Sequence, residues 1–241
     1  MSVLRTNDNI DAKAVNIRLN QLRSRIATAE RHYGRKTGSV TLLAVSKTQP
    51  TTAILTAYHA GQRDFGESYL QEALAKQTAL NDYAITWHFI GALQSNKTRL
   101  IAQHFTWVHS VDRLKIAVRL NEQRPADLPP LNICLQVNIG AEQQKAGIDA
   151  SQLPVLAAQL QPLSRLRLRG LMVLPPATED VEEQRNYFRK MKQCFEQLRA
   201  QGYPLDTLSM GMSTDLEAAI AEGATLVRVG SALFGERSRN H

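Results

Sequence analysis

Eight short apolar runs alternate with helical patterns along the chain, and no other feature constrains its fold so tightly. The runs read as strands at 40–46, 63–66, 85–90, 106–110, 132–138, 166–173, 206–209 and 225–229. Helical patterns lie between them at 50–60, 67–80, 94–103, 112–123, 151–160, 180–200 and 213–222. The run Leu42-Leu43-Ala44-Val45 is apolar on both faces, as strands of a covered parallel sheet are. Strand–helix alternation calls for parallel pairing with right-handed crossovers. Eight such units without a linker are the count of a (β/α)8 TIM barrel. A doubly wound open sheet is the competing arrangement, but a closed ring exposes no strand edge. Asp112, Ser151 and Ser213 stand where helix N-caps belong, and Gly61, Gly202 and Gly223 where helices stop.

Ahead of the first strand, Val15, Leu19, Leu22, Ile26, Ala29 and Tyr33 recur at steps of four and three. They form one apolar stripe with arginines opposite. Residues 1–38 therefore read as an extra N-terminal helix packing on the barrel, closed by Gly34 and Gly38. The whole span 1–241 reads as one α/β domain.

The formal charge of +7 raises the question of nucleic acid. Its basic residues are spread over several elements, including Arg23, Arg25, Arg35, Arg165 and Arg237, with few aromatics to stack bases. No nucleic-acid recognition motif accompanies them, so a basic surface attracting small phosphates is the simpler reading. No run approaches the roughly 18 apolar residues of a membrane span, and the first residues lack an apolar signal core. Cys134 lies in an apolar strand and Cys194 on a helix face, which suits buried thiols rather than a disulfide or metal site. A cytoplasmic location is expected.

The polar residues gather at strand ends. Lys47 follows the first strand, at the C-terminal mouth where such folds place their chemistry. Partial desolvation there would favour the neutral amine, which attacks carbonyls to form a Schiff base. Ser209, Gly211 and Ser213 follow strand seven, and Gly230-Ser231 follows strand eight after Arg228. Hydroxyls, close-approach glycines and helix starts at those two strands suit a phosphate. Strand one adjoins strand eight when the barrel closes, so an aldehyde site and a phosphate site would be neighbours. An aldehyde bearing a phosphate points to pyridoxal 5'-phosphate (PLP). His88 reads equally as a satisfied core histidine or a cofactor neighbour. His104 and His109 lack a metal-ligand spacing, Glu67 and Glu72 read as carboxylates opening a helix, and Lys145 as a solvated loop lysine.

Seven stretches carry a resemblance. They are LLAVSKTQP around Lys47, FGESYLQEA (65–73), WHFIGALQSNK (87–97), HSVDR (109–113), LQVNIGAEQQKAG (135–147), RGLMVLPP (169–176) and LSMGMSTDLEAAIAEGATLVRVGSALFG (208–235). In that order the chain resembles the pyridoxal phosphate homeostasis protein family, single-domain relatives of the alanine racemase barrel. The resemblance implies PLP held as a Schiff base on Lys47. Ser209, Met210, Gly211, Ser213, Gly230 and Ser231 would line the phosphate, with Asn138 and His88 near the ring. Arg228 would face either the pyridine nitrogen or the phosphate. Ser68 stands where the family usually has Asn, and Gly140-Ala141 replaces a more polar pair.

The function so implied is PLP homeostasis: storing, buffering and delivering the cofactor, with no catalytic residue, no metal and no robust turnover. Racemases of this class add a β-rich domain with an opposite-face base, for which the residues after Ser231 leave no room. Apo PLP-dependent enzymes are the expected recipients, no nucleic-acid or membrane partner is expected, and a monomer is the default. The alternatives are a single-domain PLP-dependent amino-acid racemase, a Schiff-base aldolase without PLP, and an RNA- or protein-binding module.

Overall fold

A computed structural model describes residues 12–140 and 146–235. Eight parallel strands close a barrel in chain order: β1 Thr41–Val45, β2 Asp64–Glu67, β3 Thr86–Phe89, β4 Trp107–Val111, β5 Leu131–Val137, β6 Leu166–Val173, β7 Thr207–Ser209 and β8 Leu226–Val229. The ring closes where Leu43 of β1 pairs with Arg228 of β8. The crossovers are α2 Thr51–His59, α3 Leu70–Ala79, α4 Thr98–His104, α5 Leu114–Gln123, α6 Leu153–Leu160, α7 Val181–Ala200 and α8 Leu216–Ala221. α1 Ala12–His32 precedes the barrel and a short α9, Ser231–Phe234, follows it. The expected barrel is thus the fold, with each strand within about a residue of its expected bounds.

Two apolar regions result. Most buried side chains, among them Ile54, Phe65, Ile101, Ile133, Leu171 and Val227, form one shell between strands and helices. Leu43, Cys134, Met172 and Leu226 are buried apart from that shell. Gly170 marks the tightest approach in the wall: a Cβ there would lie 1.7 Å from the carbonyl oxygen of Thr207 on β7. Any other residue would push β6 off β7.

The α1 stripe packs as its periodicity requires, with Val15, Leu19, Leu22, Ile26 and Ala29 at most 5 % exposed. Burying each of the larger ones is worth about 1.5–3 kcal/mol. Tyr33 does not share the stripe; the helix stops at His32 and the ring is exposed. Several arginines on α1 and just after it dock onto neighbouring elements. Arg23 donates to Ala60 O at 2.8 Å, Arg35 to Ala224 O at 2.6 Å, and Arg25 grips Glu217 of α8. Glu30 is buried and accepts from Gly38 N, Ser39 Oγ and Val40 N, which ties the chain into β1.

The three expected N-caps are corrected. Asp149, not Ser151, accepts from Ser151 N and heads the 3-10 turn Ala150–Gln152 before α6. α5 begins after Arg113, with Asp112 bonded to that arginine. α8 begins after Asp215, and Ser213 stays in the preceding loop because Asp215 holds Met212 N. Asp180 caps α7 through Glu182 N and Glu183 N. Gly61, Gly202 and Gly223 do follow helices with positive φ. Both cysteines are free thiols, and no helix among the described residues is long and apolar enough to cross a membrane.

Candidate cofactor site

A cavity of about 360 Å³ opens at the C-terminal ends of the strands, within the size range of small-ligand sites. Val45, Ile90, Met172 and Leu174 give it apolar walls. Lys47, Ser68, Ser213, Thr214, Arg228, Gly230 and Ser231 give it polar ones. Every one of these lies at or beyond the end of a strand except Met172 and Arg228, which project from within β6 and β8. The cavity therefore opens at the same mouth as the polar strand ends singled out from sequence.

Lys47 sits two residues past β1, in a backbone held from behind by α3. Ser46 N bonds Gly66 O at 3.0 Å, and Ser46 O accepts from Lys76 Nζ at 2.7 Å. Lys76 is buried between Glu67 Oε1 at 2.8 Å and Glu72 Oε1 at 2.5 Å, and Glu72 also accepts from Thr48 N. Thr48 adopts φ 64°, the one positive-φ residue among those described that is not glycine. A left-handed residue with a Cβ costs about 1–2 kcal/mol, so the clamp of Glu72 and Lys76 is what holds the lysine loop in shape. Burial pushes the Glu67 carboxyl pKa up against the opposing pull of Lys76. Glu67 thus ends β2 rather than opening a helix, whereas Glu72 does lie in the first turn of α3. The Glu72/Lys76 spacing of four was the only sequence signal of this clamp.

Arg228 forms the floor. It is 4 % exposed, and its Nη1 donates to Ser209 O at 2.6 Å and Ser209 Oγ at 2.8 Å, its Nη2 to Val173 O at 2.8 Å. Those bonds use three of five N–H donors, which leaves donors for a ligand. Burial lowers its pKa to about 10, with Asp215 opposing, so it stays charged at neutral pH. Ser213 and Ser231 sit higher, on the rim, and the amides of Ser231 and Ala232 open α9 ahead of its own hydrogen-bond ladder.

Of the residues singled out from sequence, the wall gathers Lys47, Ser213, Arg228, Gly230 and Ser231. Ser209 lies beneath Arg228 and off the wall. Met210 is fully buried in the apolar shell. Gly211 (φ 92°) lets the chain pass α8, since a Cβ would lie 2.5 Å from Ala219 Cβ; close helix packing, not a ligand, requires the glycine. Asn138 follows β5 with its amide bonded to Ile148 O, and is not on the wall. His88 is corrected outright: its imidazole points to Asp64 and His109 and lines a different cavity, at the N-terminal mouth. It is a satisfied core histidine. Ala141 and Lys145 lie outside the described residues. No cluster of His, Cys, Asp or Glu suited to a metal occurs among the described residues.

The geometry has a counterpart in known proteins. The family model for the alanine racemase N-terminal domain matches residues 17–238. A protein of Pseudomonas aeruginosa named pyridoxal phosphate homeostasis protein is 58 % identical over 214 residues, 89 % of this chain and 92 % of that one. The chain belongs to that family. Its namesake in Escherichia coli K12 is 51 % identical over 222 residues, 91 % of this chain and 95 % of that one. Among solved structures, PipY of Synechococcus elongatus with PLP bound superposes with a TM-score of 0.81 at 42 % identity, covering 92 % of this chain and all of that one. The superposition extends the likeness from sequence to the barrel itself.

Proposed function

We propose that this protein binds PLP in the C-terminal cavity and serves PLP homeostasis, holding the cofactor and giving it up to apo-enzymes. The observation that carries the reading is one cavity in which an amine, two rim hydroxyls and a buried guanidinium converge between apolar walls. Relatives named for PLP homeostasis, and a similar barrel solved with PLP, support it. When bound, PLP supplies an aldehyde that an amine can capture and a phosphate anion.

The residues divide the work by depth. Lys47 would hold the aldehyde carbon as a Schiff base. Ser213, Ser231 and the first amides of α9 would donate to the phosphate at the rim. Arg228 would face the nitrogen edge of the ring and donate to that nitrogen, keeping it unprotonated and the ring a weak electron sink. Val45, Ile90 and Met172 would flank the ring and exclude water. Among the described residues, Lys47 and Arg228 are the only ionisable side chains on the wall. Acid–base work on both faces of a substrate carbon would then fall to Lys47 alone, which supports a carrier over an amino-acid racemase.

The test is absorbance of the purified, PLP-loaded protein, followed by borohydride reduction and peptide mapping. The expected result is a visible band and one adduct on Lys47. An adduct found only on another lysine overturns the assignment. Transfer of PLP from the loaded protein to an apo-enzyme, compared with free PLP, tests delivery.

A further inference from the structure

The lumen of the barrel holds a line of polar side chains that the cavity wall does not use. β4 and β7 are not neighbours in the ring, so the 2.9 Å contact between His109 Nδ1 and Ser209 Oγ crosses the interior. Ser209 Oγ lies 2.8 Å from Arg228 Nη1. His109 Nε2 lies 2.9 Å from His88 Nδ1, and His88 Nε2 lies 3.1 Å from Asp64 Oδ1. Ser209, His109 and His88 are at most 1 % exposed, whereas the Asp64 side chain is 30 % exposed at the opposite mouth. TIM barrels ordinarily fill this space with layers of branched apolar side chains. A buried polar line is costly unless every member is satisfied, and here every member is.

The two ends set the direction of each bond. A guanidinium only donates and an ionised carboxylate only accepts. Ser209 Oγ therefore accepts from Arg228 and turns its own proton to His109 Nδ1. His109 carries its proton on Nε2 and donates it to His88 Nδ1, and His88 donates from Nε2 to Asp64. Reversal would set a bare imidazole nitrogen against the carboxylate and leave the serine proton without an acceptor. Both imidazoles are neutral: burial lowers the pKa of His88 against the pull of Asp64, and holds that of His109 well below the ordinary range, aided by His88 and Arg228.

We propose that Asp64, His88, His109 and Ser209 are positioning residues for Arg228, locking the serine hydroxyl so that it accepts from the guanidinium and coupling the Asp64 charge to the cofactor ring. The proposal rests on the PLP reading above. The other charged groups facing the line are Arg169 from β6, set 4.7 Å over Trp107, and Asp206 paired with Arg169. Trp107 in turn stacks on His88 at 5.5 Å. Asp215, ahead of α8, acts on Arg228, and the Cys134 thiol on β5 stays neutral because burial pushes its pKa up.

The experiment follows the visible band of PLP-loaded protein through a pH titration, together with PLP release and the melting temperature. Asp64→Asn keeps an acceptor for His88 but removes the charge. A negative charge favours the protonated, cationic Schiff base, so its loss should lower the titration midpoint by about half a pH unit or more. His109→Leu frees the serine hydroxyl to turn toward Arg228, and release should quicken about tenfold. His109→Asn keeps an acceptor for Ser209, so release should stay within about twofold of wild type. It breaks the onward link to His88, and in that background the Asp64→Asn shift should shrink by half or more. Equal shifts in both backgrounds would show a through-space field alone and remove the histidines from this role. Unmoved midpoints with a normal band would sink the proposal and leave PLP binding intact, whereas no band in the wild type sinks both. If His109→Leu does not fold, the Asp64 and His109→Asn comparison decides.

Discussion

At the C-terminal mouth the strands end in Lys47, Ser213, Gly230 and Ser231 around a cavity with apolar walls. At the N-terminal mouth a cavity of about 320 Å³ is lined by Asp64, Trp107, Arg169, Asp206 and Thr207. Here the charges answer one another: Arg169 donates to both oxygens of Asp206 and to Asn132 Oδ1, and Asp64 accepts from His88. The difference teaches what makes a strand end a binding site. A similar volume and a supply of polar groups do not suffice. One mouth directs an amine, hydroxyls and a guanidinium into shared space, and the other spends its polar groups on holding the barrel together.

The comparison can be broken from either side. The largest effect is expected from Lys47→Ala, which should abolish the visible band while leaving weaker PLP binding at the rim, measured by equilibrium dialysis. At the other mouth, the His88 and His109 pair should make stability pH-dependent. Both have folded-state pKa values below the ordinary value of 6.5, so the unfolded chain binds more protons as pH falls through that value. Stability should be full above it and drop below it, by up to about 2.7 kcal/mol per pH unit for two histidines. Thermal melting from pH 7.5 to 5 reads this, and a flat profile would contradict the neutral, buried assignment. Glu30→Ala removes an acceptor of three hydrogen bonds and should cost about 3 kcal/mol of stability. It should leave the PLP band unmoved.

Rim hydroxyls sharpen the other half of the contrast. Ser213→Ala or Ser231→Ala should weaken PLP by roughly ten- to hundredfold, since a hydrogen bond to a charged group is worth about 1.5–3 kcal/mol. Pyridoxal without its phosphate is the control and should hardly respond; equal weakening of both ligands would move the phosphate elsewhere. The smallest effect belongs to Asp206→Asn, which keeps an acceptor for Arg169 and removes only the charge. The ion pair of Arg169 with a half-exposed Asp206 is worth about 0.5 kcal/mol in solvent, and chemical denaturation should register little more than that.

Much of this molecule is legible in its order of residues. The eight strands, their parallel order and the α1 stripe follow from periodicity, which is local: an apolar run needs cover on both faces wherever it stands. Lys47, Ser213, Gly230 and Ser231 could be picked out because in a parallel barrel every strand end reaches the same rim, so sequence position alone assigns the mouth. What a strand carries in its middle is another matter. The resemblance implies Ser209 at the phosphate and His88 near the ring, yet Ser209 supports Arg228 from below and His88 faces the opposite mouth. His109 and Ser209 meet across the lumen although 100 residues separate them. The Lys47 loop likewise depends on Lys76, which reaches back 30 residues to Ser46 O. Periodicity assigns a side chain to a face of its own element, but its partner on another strand exists only once the ring has closed and the register of each strand is set. Closure therefore decided which polar residues line the cavity and which hold it from beneath.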